Sequence, residues 1–187
     1  MTPPDGDEFK DAVRRLHRVK DAAYRDAWKK RGEVMSIMAN IARKVDRLEY
    51  VTCGAPTTPD ESLPNTVVDL LVYSLKYQTY LADQDPAVAA TLFEGCAAAS
   101  PYSDGPDGFE VLLNRLDVSP IESNAGQGTV QATQGVLIAF AELETCFRDT
   151  HVPASRRAAC AIALTHAAVI LIGSLTSEAP ERYRDFS

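Results

Sequence analysis

The sequence predicts an all-α fold, a helical bundle with short connections. Three observations carry this. Apolar residues recur at steps of three and four through most of the chain, stretches rich in Gly and Pro interrupt that pattern, and no useful run alternates apolar and polar residues as a strand would. The 187 residues, 45% hydrophobic and 24% charged, suit one domain with a real core, and no internal repeat divides them. Residues 1–99 and a helical extension, 100–187, are expected to share that core.

The first helix spans about 8–31, with Phe9, Val13, Leu16, Val19, Ala23 and Ala27 in register and Gly32 as its stop. A second, 33–50, carries Val34, Ile37, Met38, Ile41, Val45 and Leu48 on one face. Gly and Pro mark 52–60 as a loop. Ser62 can open a third helix, 62–82, with Pro64 tolerated in its first turn. Its apolar residues cover most of the circumference, so it is central and buried. A shorter helix, 86–98, begins at Pro86. Turn-rich segments at 100–108 and 119–128 flank a short helix at 109–116, and helices at 129–148 and 154–176 close the chain. Residues 158–175 are nearly all apolar, yet they include Thr165, His166, Gly173 and Ser174 and barely reach the shortest membrane span. They read as a bundle helix, with no membrane implied.

A net charge of −7 excludes a general nucleic-acid surface, which needs a basic face. The positive charge is nonetheless uneven, because eleven of the 19 Lys and Arg residues fall from Arg14 to Arg47. The N-terminus has no basic, apolar leader, and the four cysteines are scattered. The expectation is a cytoplasmic protein with reduced thiols and no disulfide or thiolate zinc site.

Charge concentrates on the second and third helices. At 100° per residue, Glu33, Asn40, Lys44 and Arg47 share one edge of the second helix, and Asp46 and Glu49, three apart, lie toward the other. On the third helix a narrow polar wedge holds Asn65, Asp69 and Lys76, with Tyr73 and Tyr80 beside it. Asp69 there needs a partner: Lys76, a tyrosine hydroxyl, a base from the second helix, or a divalent cation. A structural ion pair and a functional site account for Asp69 equally well.

Elsewhere the signals are plainer. His166 reads as a hydrogen-bonded core histidine, and His17 and His151 as surface or helix-end residues. Gly126-Gln-Gly128 lacks the Lys-Ser/Thr of a P-loop and reads as a flexible turn. Glu142 shares a polar side with Gln131, Gln134 and Thr145, fit for a subunit contact or a pocket, and the small residues of the last helix suit an oligomer core.

The run Trp28-x-x-Arg31-Gly32-Glu33, then Ala42-Arg-Lys44-x-Asp46-Arg47-Leu48-Glu49, then Glu61 before Asn65-Thr-x-x-Asp69-Leu-x-x-Tyr73, resembles small phage and bacterial nucleotide-modification-associated domains. These are similar in turn to the all-α nucleoside triphosphate pyrophosphatases, the group containing MazG and the dimeric dUTPases. The likeness covers about residues 20–82. It implies Mg²⁺, or Mn²⁺, held by Asp46, Glu49, Glu61 and Asp69, with Glu49 and Asp69 catalytic. It implies phosphate and base contacts from Trp28, Arg31, Asn40, Lys44, Arg47 and Tyr73. Thr66 stands where the family pattern has a glutamate, and Glu61 is the carboxylate nearest to replace it.

The chemistry suits these residue types, since Mg²⁺ takes a few carboxylates plus water and phosphate, and cations offset triphosphate charge. The aromatic residues Trp28, Tyr73 and Tyr77 could stack a base or simply pack the core. The expected function is Mg²⁺-dependent hydrolysis of a nucleoside triphosphate to monophosphate and pyrophosphate, in a homo-oligomer. The alternatives are a non-catalytic helical protein that binds or sequesters a nucleotide or signal molecule, which Thr66 favours, and a structural interaction protein.

Overall fold

The computed structural model describes residues 5–52, 62–123 and 128–178. Among them there is helix and no strand, so the fold is all-α. In chain order the elements are α1 (Gly6–Tyr24), a 3-10 turn (Arg25–Trp28), a π-helical segment (Glu33–Met38) running into α2 (Ala39–Thr52), α3 (Leu63–Gln84), α4 (Pro86–Phe93), α5 (Asp107–Arg115), α6 (Ser119–Glu122), α7 (Thr129–Arg148) and α8 (Ala154–Glu178).

The two longest helices, α3 and α8, form the centre. Helix α8 packs along α3 on one side and α7 on another, α2 lies against both α3 and α7, and α4 and α6 close on α8. One contiguous core joins Phe9 and Val13 of α1 to Leu71 and Leu75 of α3, Leu143 of α7 and Leu164 and Leu171 of α8, so both halves of the chain contribute to it. Helix α8 is long and apolar enough to cross a bilayer, but 67% of its most apolar stretch is buried within the bundle. Its mid-helix Thr165 accepts from Gln78 Nε2 (2.8 Å) and reaches Ser74 Oγ (2.9 Å), so the polar groups on the α3–α8 seam satisfy one another.

Local chemistry sets the ends. Ser62 Oγ accepts from Asn65 N at 3.3 Å and opens α3, with Pro64 in the first turn as expected. Asp85 closes α3 and caps α4, accepting from Ala87 N at 2.8 Å. Helix α1 is bound to α5 by Arg14 Nε donating to Glu110 (2.7 Å) and by Lys10 Nζ donating to the Asn114 carbonyl (3.0 Å).

Several expectations are corrected. The first helix does not run to residue 31. It ends at Tyr24, where Arg25 takes φ 44°, a left-handed value that side chains resist, before the 3-10 turn buries Trp28. The second helix is not a straight α-helix at its start: the π-helical segment shifts the register, so Val34 is 62% exposed while Ile37, Ile41, Val45 and Leu48 are buried. The helix from Pro86 stops at Phe93, before Gly95 at φ 70°. Segment 119–128 is not all turn, since Ser119–Glu122 is helical. The loop expected at 52–60 lies almost wholly outside the described residues, as do Gly126 and Gln127.

The histidines reverse. His17 is 1% exposed and stacked on Phe109 (ring centroids 3.8 Å apart), because α1 is pinned to α5 at that level. His166 is exposed, because the core side of α8 at that turn is taken by Leu164, Thr165 and Ala168. His151 is exposed, as expected.

Candidate functional site

Asp69 sits in the polar wedge of α3 with its side chain 16% exposed. Two lysines hold it: Lys44 of α2 bonds Oδ2 at 2.8 Å, and Lys20 of α1 bonds Oδ1. A base from the second helix was among the expected partners, and Lys20 was not. Lys76 turns instead to Asp21 of α1, 3.1 Å away, and lies 5.1 Å from the Trp28 ring centroid. Burial pushes the Lys76 ammonium below its ordinary pKa, and the bond to Asp21 opposes that shift.

Two adjoining cavities open around this bridge. The first, about 390 Å³, is walled by Trp28, Ala27, Val72 and Tyr73 and edged by His17, Lys20, Arg25 and Lys76. The second, about 410 Å³, is walled by Arg43, Lys44 and Arg47. Asn40, Asp69 and Tyr73 line both, so the carboxylate stands at their common boundary. Three cations therefore border each cavity, and among the described residues Asp69 is the sole carboxylate on either wall. In a chain of net charge −7 this is a local reversal of sign, suited to an anion. Both volumes lie in the range of small-molecule sites, roughly 300–1,000 Å³.

The first cavity has an aromatic wall. Trp28 is 7% exposed, the chain's one tryptophan, with Lys29 Nζ 5.8 Å from its ring centroid. Lys29 also donates to Ser103 Oγ (2.8 Å) and pairs with Asp104, tying the turn that carries Trp28 to loop 101–104. His17 lines the same cavity with neither ring nitrogen hydrogen-bonded, and Nε2 lies 3.9 Å from Asp21. Burial first, then the charge of Lys76, holds it down to about pKa 4, so it is a neutral imidazole at pH 7.

The structure brings Trp28, Asn40, Lys44, Arg47, Asp69 and Tyr73 to these cavities. Arg31 is exposed and on neither wall; its backbone N–H donates to Ser36 Oγ at 2.9 Å. Asp46 and Glu49 are exposed on α2 and also line neither cavity. Glu61 lies outside the described residues. Thr66, standing for the family's glutamate, is buried and donates to the Ser62 carbonyl at 3.2 Å, closing the first turn of α3. Tyr77 is fully buried, so it packs the core and stacks no base; burial first, then its bond to Glu33, pushes the phenol pKa up. Glu33 also pairs with Arg157 of α8 at 3.1 Å, away from the edge where Asn40, Lys44 and Arg47 lie. Among the described residues no three of His, Cys, Asp and Glu gather as metal ligands.

Lys20, Arg25 and Arg43 were missed as site residues. Their one sequence signal is the basic strip from Arg14 to Arg47, which does not say which of its members turn inward. No protein-family model matches the chain, and no curated protein and no solved structure matches it.

Proposed function

We propose that this protein binds a phosphorylated small molecule of the nucleotide class across the two cavities. The heteroaromatic body lies in the chamber of Trp28 and Tyr73, and the phosphates lie against Arg43, Lys44 and Arg47. One observation supports the reading above the rest: six cations from α1, the following turn, α2 and α3 line the two cavities beside an aromatic wall, and among the described residues Asp69 is the one carboxylate on those walls. Charge-assisted hydrogen bonds from such a cluster are the strong ones, and cationic clefts raise the local anion concentration.

Mg²⁺-dependent hydrolysis of a nucleoside triphosphate is the second reading. It rests on the resemblance and on Asp69 reaching the boundary of both cavities, where a metal ligand would stand. The described residues alone do not fit the ion, because Asp69 is taken by two lysines and Asp46 and Glu49 lie elsewhere. Metal binding would therefore need Glu61 and a rearrangement of Lys20 and Lys44.

Titration of Trp28 fluorescence with a panel of nucleoside mono- and triphosphates, with and without Mg²⁺, tests both readings. Saturable binding that weakens with salt and needs no metal supports the first. Release of pyrophosphate that requires Mg²⁺ and is lost in Asp69→Ala supports the second. No response to any nucleotide, with the protein folded, removes both.

A further inference from the structure

Cys146 near the end of α7 and Cys160 in the second turn of α8 stand with their sulfurs 3.4 Å apart. Sequence spacing gave no hint of this, since 13 residues separate them; the α7–α8 turn folds the chain back and brings them together. Cys146 is half-buried and Cys160 is 3% exposed. Disulfide formation needs the sulfurs at about 2.05 Å, a closure of roughly 1.4 Å that small side-chain and helix adjustments supply.

We propose that Cys146 and Cys160 form a reversible, oxidisable dithiol site that staples α7 to α8. The oxidant is a peroxide. Cys146, the more accessible thiol, attacks the peroxide oxygen, giving a sulfenic acid and releasing water or an alcohol. Cys160 sulfur then attacks Cys146 sulfur. The S–S bond forms, the S–O bond breaks, and the Cys160 proton leaves with the hydroxyl as a second water. Each disulfide thus reduces one peroxide, and a small-molecule dithiol reverses it. Burial, followed by the bond to Cys146, pushes the Cys160 thiol up to about 11. This makes Cys160 a poor first nucleophile, so the half-buried partner reacts first and the buried one resolves it. Neither cysteine lines either cavity, and the site does not depend on the binding proposal.

The test is exposure of the full reduced chain to stoichiometric hydrogen peroxide. The intact mass is expected to fall by two hydrogens, and tryptic digestion to join the peptides 116–148 and 158–182, with dithiothreitol reversing both. Closing this short loop is expected to raise the melting temperature by roughly 5–10 °C. Cys160→Ser should stop the reaction at a Cys146 sulfenic acid that dimedone traps, and Cys146→Ser should prevent the link. Both thiols surviving peroxide, either one joining Cys53 or Cys96 instead, or dimedone labelling wild type as heavily as Cys160→Ser would each overturn the proposal.

Discussion

Asp69→Asn keeps the shape of the side chain and removes its charge, which isolates the role of the carboxylate between the cavities. One oxygen takes Lys20 and the other takes Lys44 at 2.8 Å, and the side chains are 16%, 43% and 27% exposed in the order Asp69, Lys20, Lys44. Two unit charges about 4 Å apart interact by about 4 kcal/mol at an effective dielectric near 20. Solvent reaching both lysines screens much of this, leaving about 1–2 kcal/mol for the bridge as a whole. A phosphate that takes Lys44 must break the bridge to Asp69 against that energy. Without it, the affinity for pyrophosphate should rise by roughly 5–30-fold, while the protein loses about 1–2 kcal/mol of stability from two lysines left facing each other. Trp28, the one tryptophan, lines the adjoining cavity and reports the titration without background. Pyrophosphate binding that weakens in Asp69→Asn would refute the reasoning, since the carboxylate would then be assisting the ligand. If the weakening appears only with Mg²⁺ present, Asp69 is a metal ligand and the hydrolytic reading takes over.

Arg25→Gly relieves a backbone at φ 44° and removes a cation from the cavity wall, so unfolding should show a gain of about 1 kcal/mol while nucleotide affinity falls several-fold. His17 is held at about pKa 4 against 6.5 when unfolded, so the unfolded chain binds the extra proton between those values and stability falls as pH drops through that window. The loss is about 3 kcal/mol at 1.36 kcal/mol per unit, and the stability difference between wild type and His17→Leu across pH 4–6.5 measures it. Gly173→Ala should destabilise by about 2–3 kcal/mol in urea unfolding, although alanine ordinarily favours a helix by about 1 kcal/mol, because the added Cβ would meet the Pro120 carbonyl oxygen at 2.4 Å.

The helices were legible where one physical signal governed them. Helix α7 matches its expected span because its polar flanks and Gly128 frame a single apolar period, and the start of α3 was readable from Ser62 and Pro64. What the period could not show is where a chain breaks register without Gly or Pro. Arg25 ends α1 with a conformation its residue type disfavours, and the reward is tertiary: it lets Trp28 bury itself beside Lys76. The same limit applies at the site. The wedge carrying Asp69 was visible, and so was the need for a partner, but Lys20 comes from a helix whose rotation is fixed by Glu110 and Phe109, more than 80 residues further on. His17 and His166 exchanged places for the same reason, since a lone imidazole is placed by whichever helix lands on it.

The π-helical segment accounts for the sign of the groove. On a straight helix Glu33 would share an edge with Asn40, Lys44 and Arg47, seven residues being close to two full turns. A carboxylate there would stand among the cations and cancel one of them. The π turn over Glu33–Met38 inserts extra residues per turn, so the chain before Asn40 is rotated out of that alignment. Glu33 then faces α3 and α8, where Tyr77 and Arg157 both bond it, and Val34 is turned to solvent in consequence. Asn40, Lys44 and Arg47 keep their common edge over the cavity, where among the described residues Asp69 is the one carboxylate on the wall. An exposed valine and a wider helical turn are unfavourable locally, and they persist because they separate the acidic start of this segment from its basic continuation.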